Sequence, residues 1–352
     1  MAGWEENIRR VNPYTPGEQP QGKDIIKLNT NENPYPPSPK TIEVMKSMDF
    51  GSVGRRYPDP NAKGLVGALA SYYHVGTDQI FIGNGSDDVL SVAFLAFFNS
   101  EKPIVFPDVT YSFYPVWAQM YRIPYREIPL DADFRILPED YESENGGVVI
   151  ANPNAPTGVA LPLTELEKII RSNSDAIVIV DEAYVDYGGD SALRLLDRYD
   201  NLVVVRTFSK SRALAGARIG FAISSPRLIQ VMNDVEQSVN SYPLSTMSLL
   251  AGEASVADEE YFRERIRDVL RTRARSVIEL KKRFFTILPS ETNFLFAAPT
   301  RISGNEMFEQ LRERGVFVRH FSSERLKDYL RITIGTDREM DALFAAIDEI
   351  QG

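Results

Sequence analysis

Between about residue 41 and residue 245 the chain alternates short, uninterrupted apolar runs with longer stretches of mixed polarity. The runs lie at 80–82, 103–106, 148–150, 177–180, 202–205 and 220–223. An apolar run without polar alternation is what a strand buried on both faces requires. Its repetition between helix-like stretches predicts an α/β fold, a mostly parallel central sheet covered by helices on both faces. Residues 255–285 are highly charged with apolar positions near helical spacing, which predicts one long amphipathic helix. Beyond it, strand-like runs at 293–296, 316–318 and 330–334 and helical patterns at 305–314 and 339–350 predict a smaller α+β C-terminal domain. The first 40 residues are rich in proline, asparagine and glycine, and their weak periodicity reads as a flexible tail. The expected organisation is an N-terminal arm at 1–40, a large α/β domain at 41–250, a linking helix at 251–285 and a small domain at 286–352.

Length supports two domains, since 352 residues exceed the roughly 250–300 at which single cores stop growing. A formal net charge of -10 argues against nucleic acid or an anionic membrane surface as the main partner. With no cysteine, disulfides, thiolate nucleophiles and cysteine-ligated metals are excluded, and His74 and His320 are too few for a histidine-rich centre, so no metal is expected. Residues 1–6 lack the layout of a signal peptide, and the longest apolar stretch, near 89–98, is too short to span a bilayer. A soluble cytoplasmic protein is the expectation.

Three of the predicted strands end in polar residues. The run 202–205 leads into Thr207-Phe208-Ser209-Lys210, with Arg218 eight residues beyond the lysine. An amine at a strand end, beside a serine and an arginine, suits an aldehyde cofactor that also carries a phosphate, because lysine can form a Schiff base. An isolated Ser-Lys would more often be a solvated loop in a basic turn. The run 177–180 ends in Asp181-Glu182-Ala183-Tyr184. Ligand crevices of open parallel sheets lie at the carboxyl ends of strands, so Asp181 either faces one pocket with Lys210 or caps a following helix. The run at 147–151 enters Asn152-Pro153-Asn154-Ala155-Pro156-Thr157-Gly158, dense in turn formers.

Taken together, these strand ends resemble those of the fold type I aminotransferases that use pyridoxal 5'-phosphate. The resemblance covers nearly the whole chain, from Asn29-Thr30-Asn31-Glu32-Asn33-Pro34 through Gly83-Asn84-Gly85-Ser86-Asp87-Asp88 and Tyr242-Pro243-Leu244 to Leu330-Arg331-Ile332-Thr333. It implies that Lys210 tethers the cofactor and then moves a proton, that Asp181 bonds the pyridine nitrogen, and that Tyr184 donates to the phenolic oxygen. It further implies stacking by Tyr111 and a phosphate cradle of Ser209, Arg218 and the amides of Gly85, Ser86 and Asp87, with Tyr57 reaching over from a second subunit. The chain departs from the family's Asn-Asn-Pro-Thr-Gly at Ala155, so Asn154 is expected to swing in as the missing donor.

Within the family the resemblance is to the subfamily that transaminates L-histidinol phosphate with 2-oxoglutarate by a ping-pong scheme. It implies an anion grip by Arg331, a second anion contact at Arg319, and an imidazole pocket lined by Tyr14, Asn33 and Tyr242. The implied partners are a small amino donor and a 2-oxo acid, with no nucleic acid and no membrane, in a homodimer with shared sites, where the resemblance implies an ordered N-terminal arm, not a flexible tail, that crosses the dimer and lines the site. An aromatic or broad-specificity aminotransferase, a threonine-phosphate decarboxylase, and a non-catalytic regulator on the same scaffold are the alternatives. The acidic charge, the intact Lys210 and the lack of an added DNA-binding domain speak against the regulator.

Overall fold

The computed structural model describes residues 3–22 and 25–352; residues 1, 2, 23 and 24 of the expected arm lie outside it. In chain order its strands are β1 (Ile26–Lys27), β2 (Ile80–Gly83), β3 (Ile104–Pro107), β4 (Tyr125–Ile128), β5 (Gly147–Ala151), β6 (Val178–Asp181), β7 (Leu202–Thr207), β8 (Gly220–Ser224), β9 (Phe285–Ile287), β10 (Phe294–Pro299), β11 (Val316–Phe317), β12 (Arg319–His320) and β13 (Leu330–Thr333). The six apolar runs become six of the seven strands in one sheet, ordered β2-β8-β7-β6-β5-β3-β4. Val149, Ile179, Val203 and Val205 pack on one face against helices Ser86–Phe97, Tyr114–Tyr121 and Pro226–Val239. Val148, Ile150, Val178, Val180 and Val204 pack on the other against helix Leu163–Ser172. Successive side chains alternate between two buried faces, which is why the runs show no polar alternation.

The sheet is parallel except at β8, which runs antiparallel to both β2 and β7. Reversal places the first residue of β8, Gly220, against the last residues of its neighbours, Gly83 and Thr207. The loop entering β8 therefore reaches the same edge as the loops leaving the other strands. Just beyond β6, Glu182 is buried and accepts from Arg206 Nη2 at 2.7 Å, Arg206 Nε at 3.0 Å, Ser191 Oγ at 2.8 Å and Ala192 N at 2.6 Å. Removing one partner of such a pair strands the other charge, so Glu182→Ala is expected to lower unfolding free energy by about 3–5 kcal/mol. Urea denaturation of the variant measures it.

The smaller sheet, β12-β13-β10-β9, is antiparallel, and its core joins Leu295, Leu330 and Ile332 to Met307 and Leu343 of helices Gly304–Glu313 and Asp337–Gln351. β1 pairs in parallel with β11 and Leu28 is buried in this core, so 26–28 is structured, as in the ordered arm that the resemblance implies. One expectation changes. The single helix expected over 255–285 is two, Thr246–Val256 and Glu259–Lys282, and Phe285 already belongs to β9. Asp258 interrupts them with φ -113° and ψ 59°, and Lys40 Nζ takes the carbonyl of Ala257 at 2.7 Å. Apolar spacing continues across the break, which hides it. No helix among the described residues is long and apolar enough to cross a membrane.

Candidate active site

The ends of β5, β6 and β7 surround a cavity of about 170 Å³. Asp181 closes β6 opposite Ala151, and Lys210 follows β7 by three residues; both line the cavity with Tyr184, Ser209, Arg218 and Tyr111. At one end Ser86 opens the helix Ser86–Phe97. The first N–H groups of a helix have no intrahelical acceptor, so the amides of Ser86 and Asp87 are available to an anion, whereas the expected third amide, that of Gly85, is taken by the Gly83 carbonyl at 2.9 Å. Two glycines permit this geometry. Gly85 has φ +87°, and a Cβ there would lie 2.5 Å from Arg218 Nη2; a Cβ on Gly220 would lie 2.3 Å from Ser86 N. Arg218 Nη2 reaches Asp87 Oδ2 at 3.2 Å, and Tyr111 Oη donates to Asp87 Oδ1 at 2.7 Å.

Asp181 is buried and accepts from Tyr114 Oη at 2.9 Å and from Ala183 N at 3.1 Å. Among the described residues no cation pairs with it, and burial raises its pKa to about 6. Lys210 Nζ lies 3.4 Å from the Thr30 carbonyl and 5.7 Å from the centre of the Tyr184 ring. Arg331 is half-buried between the rings of Phe294 and Phe321, donates from Nη2 to the Asn29 carbonyl at 3.0 Å, and has a buried Nε without a partner. Burial lowers its pKa. A buried carboxylate and a buried guanidinium nitrogen, each short of a partner, are costly until a ligand completes them. Pyridoxal 5'-phosphate fits this donor set: a protonated ring nitrogen for Asp181, a phosphate for Ser209, Arg218 and the helix N-terminus, and an aldehyde for Lys210.

Residues 23–347 match the family described as aminotransferase class I and II. This chain belongs to that family. It is 50% identical over 347 residues to the histidinol-phosphate aminotransferase of Lactococcus lactis subsp. cremoris, covering 98% of this chain and 97% of the relative. The same identity and length hold for the histidinol-phosphate aminotransferase of Marinomonas sp., at 98% of each. Among solved structures, histidinol-phosphate aminotransferase from Sinorhizobium meliloti in complex with pyridoxal-5'-phosphate superposes with a TM-score of 0.84 at 25% identity, covering 92% of this chain and 90% of that one.

In this aminotransferase several expected site residues lie elsewhere. Asn154 does not swing in: its Nδ2 donates to Val109 O and Thr157 Oγ1, both at 2.9 Å, and its Oδ1 accepts from Thr110 Oγ1 at 2.9 Å. With those bonds made inside the loop, the cavity wall is formed by Ala155 instead. Asn33 does not line the Lys210 cavity; its Nδ2 donates to the carbonyls of Lys210 and Ser211, each at 3.1 Å. Tyr57 and Tyr242 stack on each other at 4.6 Å, and neither lines the Lys210 cavity of its own chain. Tyr14, stacked on Phe113 at 4.2 Å, and Arg319 line an adjoining groove. The resemblance placed the arm at the site without naming Thr30, Glu32 or Asn31 as site residues. The first two line the cavity, and Asn31 Nδ2 donates to Tyr184 Oη at 2.9 Å. The signal was present in Asn29-Thr30-Asn31-Glu32-Asn33, a run of amides too dense for a passive tail.

Proposed function

We infer that this aminotransferase moves the amino group of L-histidinol phosphate to 2-oxoglutarate, giving imidazole acetol phosphate and L-glutamate in histidine biosynthesis, with pyridoxal 5'-phosphate as cofactor. Half the sequence is shared, end to end, with aminotransferases of that name. The observation that carries the chemistry is the placing of Asp181 and Lys210 on one small cavity at the strand ends.

When bound, the cofactor supplies a carbonyl carbon that captures the amino group and a ring that accepts the electron pair left when the substrate Cα loses its proton. Lys210 Nζ would be the tether at rest and, once released, would take the proton from the substrate Cα and deliver it to the carbon that had been the cofactor's carbonyl. The Asp181 carboxylate holds the proton on the ring nitrogen by a charge-assisted hydrogen bond. Ser209, Arg218 and the amides of Ser86 and Asp87 would hold the phosphate, Tyr111 would cover the ring, and Tyr184 would donate to the phenolic oxygen. Arg331 takes the substrate's phosphate in one half-reaction and the carboxylate of the keto acid in the other, with Arg319 as a second contact and Tyr14 near the imidazole.

Sharing one guanidinium fixes an expected result. Arg331→Lys keeps the charge but loses the planar fork, and kcat/KM is expected to fall roughly 10- to 100-fold for both substrates, the worth of one charged hydrogen bond. Steady-state kinetics with each substrate varied in turn measure it.

We further propose a cytoplasmic homodimer, divided into arm, large domain, linking region and small domain. Tyr57 is 81% exposed, which suits a side chain offered to a partner's cavity rather than its own. The direct test adds L-histidinol phosphate, without keto acid, to protein loaded with the cofactor. Conversion of the visible chromophore to the amine form by that substrate, and not by comparable phenylalanine, supports the assignment. Equal conversion by phenylalanine overturns its specificity, and release of carbon dioxide from phosphothreonine would make it a decarboxylase.

A further inference from the structure

Tyr184 has an apolar neighbour where a second polar contact would be expected: Ala155, Tyr184 and Phe294 form one small apolar cluster. Among the described residues, the hydrogen bond to Tyr184 Oη comes from Asn31 Nδ2, and that bond has a fixed direction. Thr333 Oγ1 accepts the backbone N–H of Asn31 at 3.0 Å. The hydroxyl's own proton is then free for Asn31 Oδ1, 3.1 Å away. An amide whose oxygen is held by a hydroxyl proton presents its NH₂ at the other end, so Asn31 donates and Tyr184 accepts. The phenol proton has no protein acceptor among the described residues, and Tyr184 lines the cavity. The relay is well anchored. Asn31 sits at φ 56°, a conformation asparagine tolerates, and its carbonyl takes Asn293 Nδ2 at 3.0 Å while Thr333 N donates to Leu28 O at 2.9 Å.

We propose that Asn31, oriented by Thr333, is a positioning residue that fixes Tyr184 as a hydrogen-bond donor into the cavity and so supplies the polarity that Ala155 cannot. The proposal rests on the reading that pyridoxal 5'-phosphate binds against Tyr184. A phenol whose oxygen already accepts a hydrogen bond is a stronger donor through its own proton. It draws negative charge from the cofactor's phenolic oxygen and loosens the proton on the neighbouring lysine-bound nitrogen. Without Asn31 that proton is held more tightly.

The test is a pH titration of the visible absorbance of cofactor-loaded protein, for wild type, Asn31→Gly, Thr333→Val, Tyr184→Phe and Asn31→Gly combined with Tyr184→Phe. Glycine suits the positive φ of position 31, and Thr333→Val carries the test if the glycine variant does not fold. The expected result is a rise of roughly one pH unit for Asn31→Gly and a smaller rise for Thr333→Val. Adding Asn31→Gly to Tyr184→Phe should produce no further shift, because both act through one hydroxyl. An unchanged titration in both single variants overturns the proposal, as does an equal shift in the Tyr184→Phe background. Wild-type protein that takes up no cofactor overturns the underlying functional reading, and the proposal with it.

Discussion

Lys210→Ala is expected to lose the covalent bond to the cofactor and about 10⁴-fold or more in kcat, because one amine serves as both tether and proton carrier. Nothing else in the cavity can take over. Among its lining residues the other basic side chain, Arg218, stands at the anion-binding end against Asp87, and the carboxylates Asp87, Asp181 and Glu32 cannot form the carbon–nitrogen bond. The variant should still bind the cofactor without covalent attachment, since Ser209, Arg218 and the helix N-terminus are intact. Absorbance after borohydride reduction and denaturation separates the cases: wild type keeps the label and the variant releases it. A label retained by the variant would move the tether to another lysine and overturn the site.

The second large effect carries an opposite sign in stability. Asp181→Asn removes the charged partner of the ring nitrogen, and kcat is expected to fall roughly 10²- to 10³-fold, the scale of breaking a buried ion pair. In cofactor-free protein the same change should stabilise. Burial raises the Asp181 pKa from 3.8 to about 6, so across that interval the folded chain keeps a proton that the unfolded chain has released. Stability then falls as pH rises, and above pH 6 the folded state carries a penalty of about 2–3 kcal/mol that asparagine lacks. Tyr114, whose hydroxyl can accept as well as donate, tolerates the amide. Thermal melting of the cofactor-free proteins at pH 4 and pH 8 should show the variant's advantage only at the higher pH. A variant less stable than wild type at pH 8 would show that burial of the charge is not what shifts the group.

The parts of this fold that were legible in the sequence are those where composition and burial coincide. A sheet covered on both faces writes itself as unbroken apolar runs, and the polar residues that interrupt them mark the edge where the cavity lies. Direction is invisible to that pattern: 220–223 reads the same whether β8 runs with its neighbours or against them, yet its reversal brings Arg218 to Ser86. β4 escaped notice because at the sheet edge Tyr125 is only partly covered and Arg126 and Glu127 are exposed, leaving no apolar run to read. Asn154 misled for a related reason. An amide beside a strand end is equally suited to a ligand or to its own turn, and the choice depends on Val109, Thr110 and Thr157, which sequence does not place around it.

The amide-rich segment before the large domain is fastened at two points that belong to different sheets. Leu28 and Asn31 are bonded to Thr333 on β13, while Asn33 is bonded to the carbonyls of Lys210 and Ser211 beyond β7. Only Glu32 lies between the anchors. Any rotation of the smaller sheet against the larger must therefore be absorbed in the few backbone dihedrals between Asn31 and Asn33, which makes this short stretch a pivot placed within reach of the reactive amine.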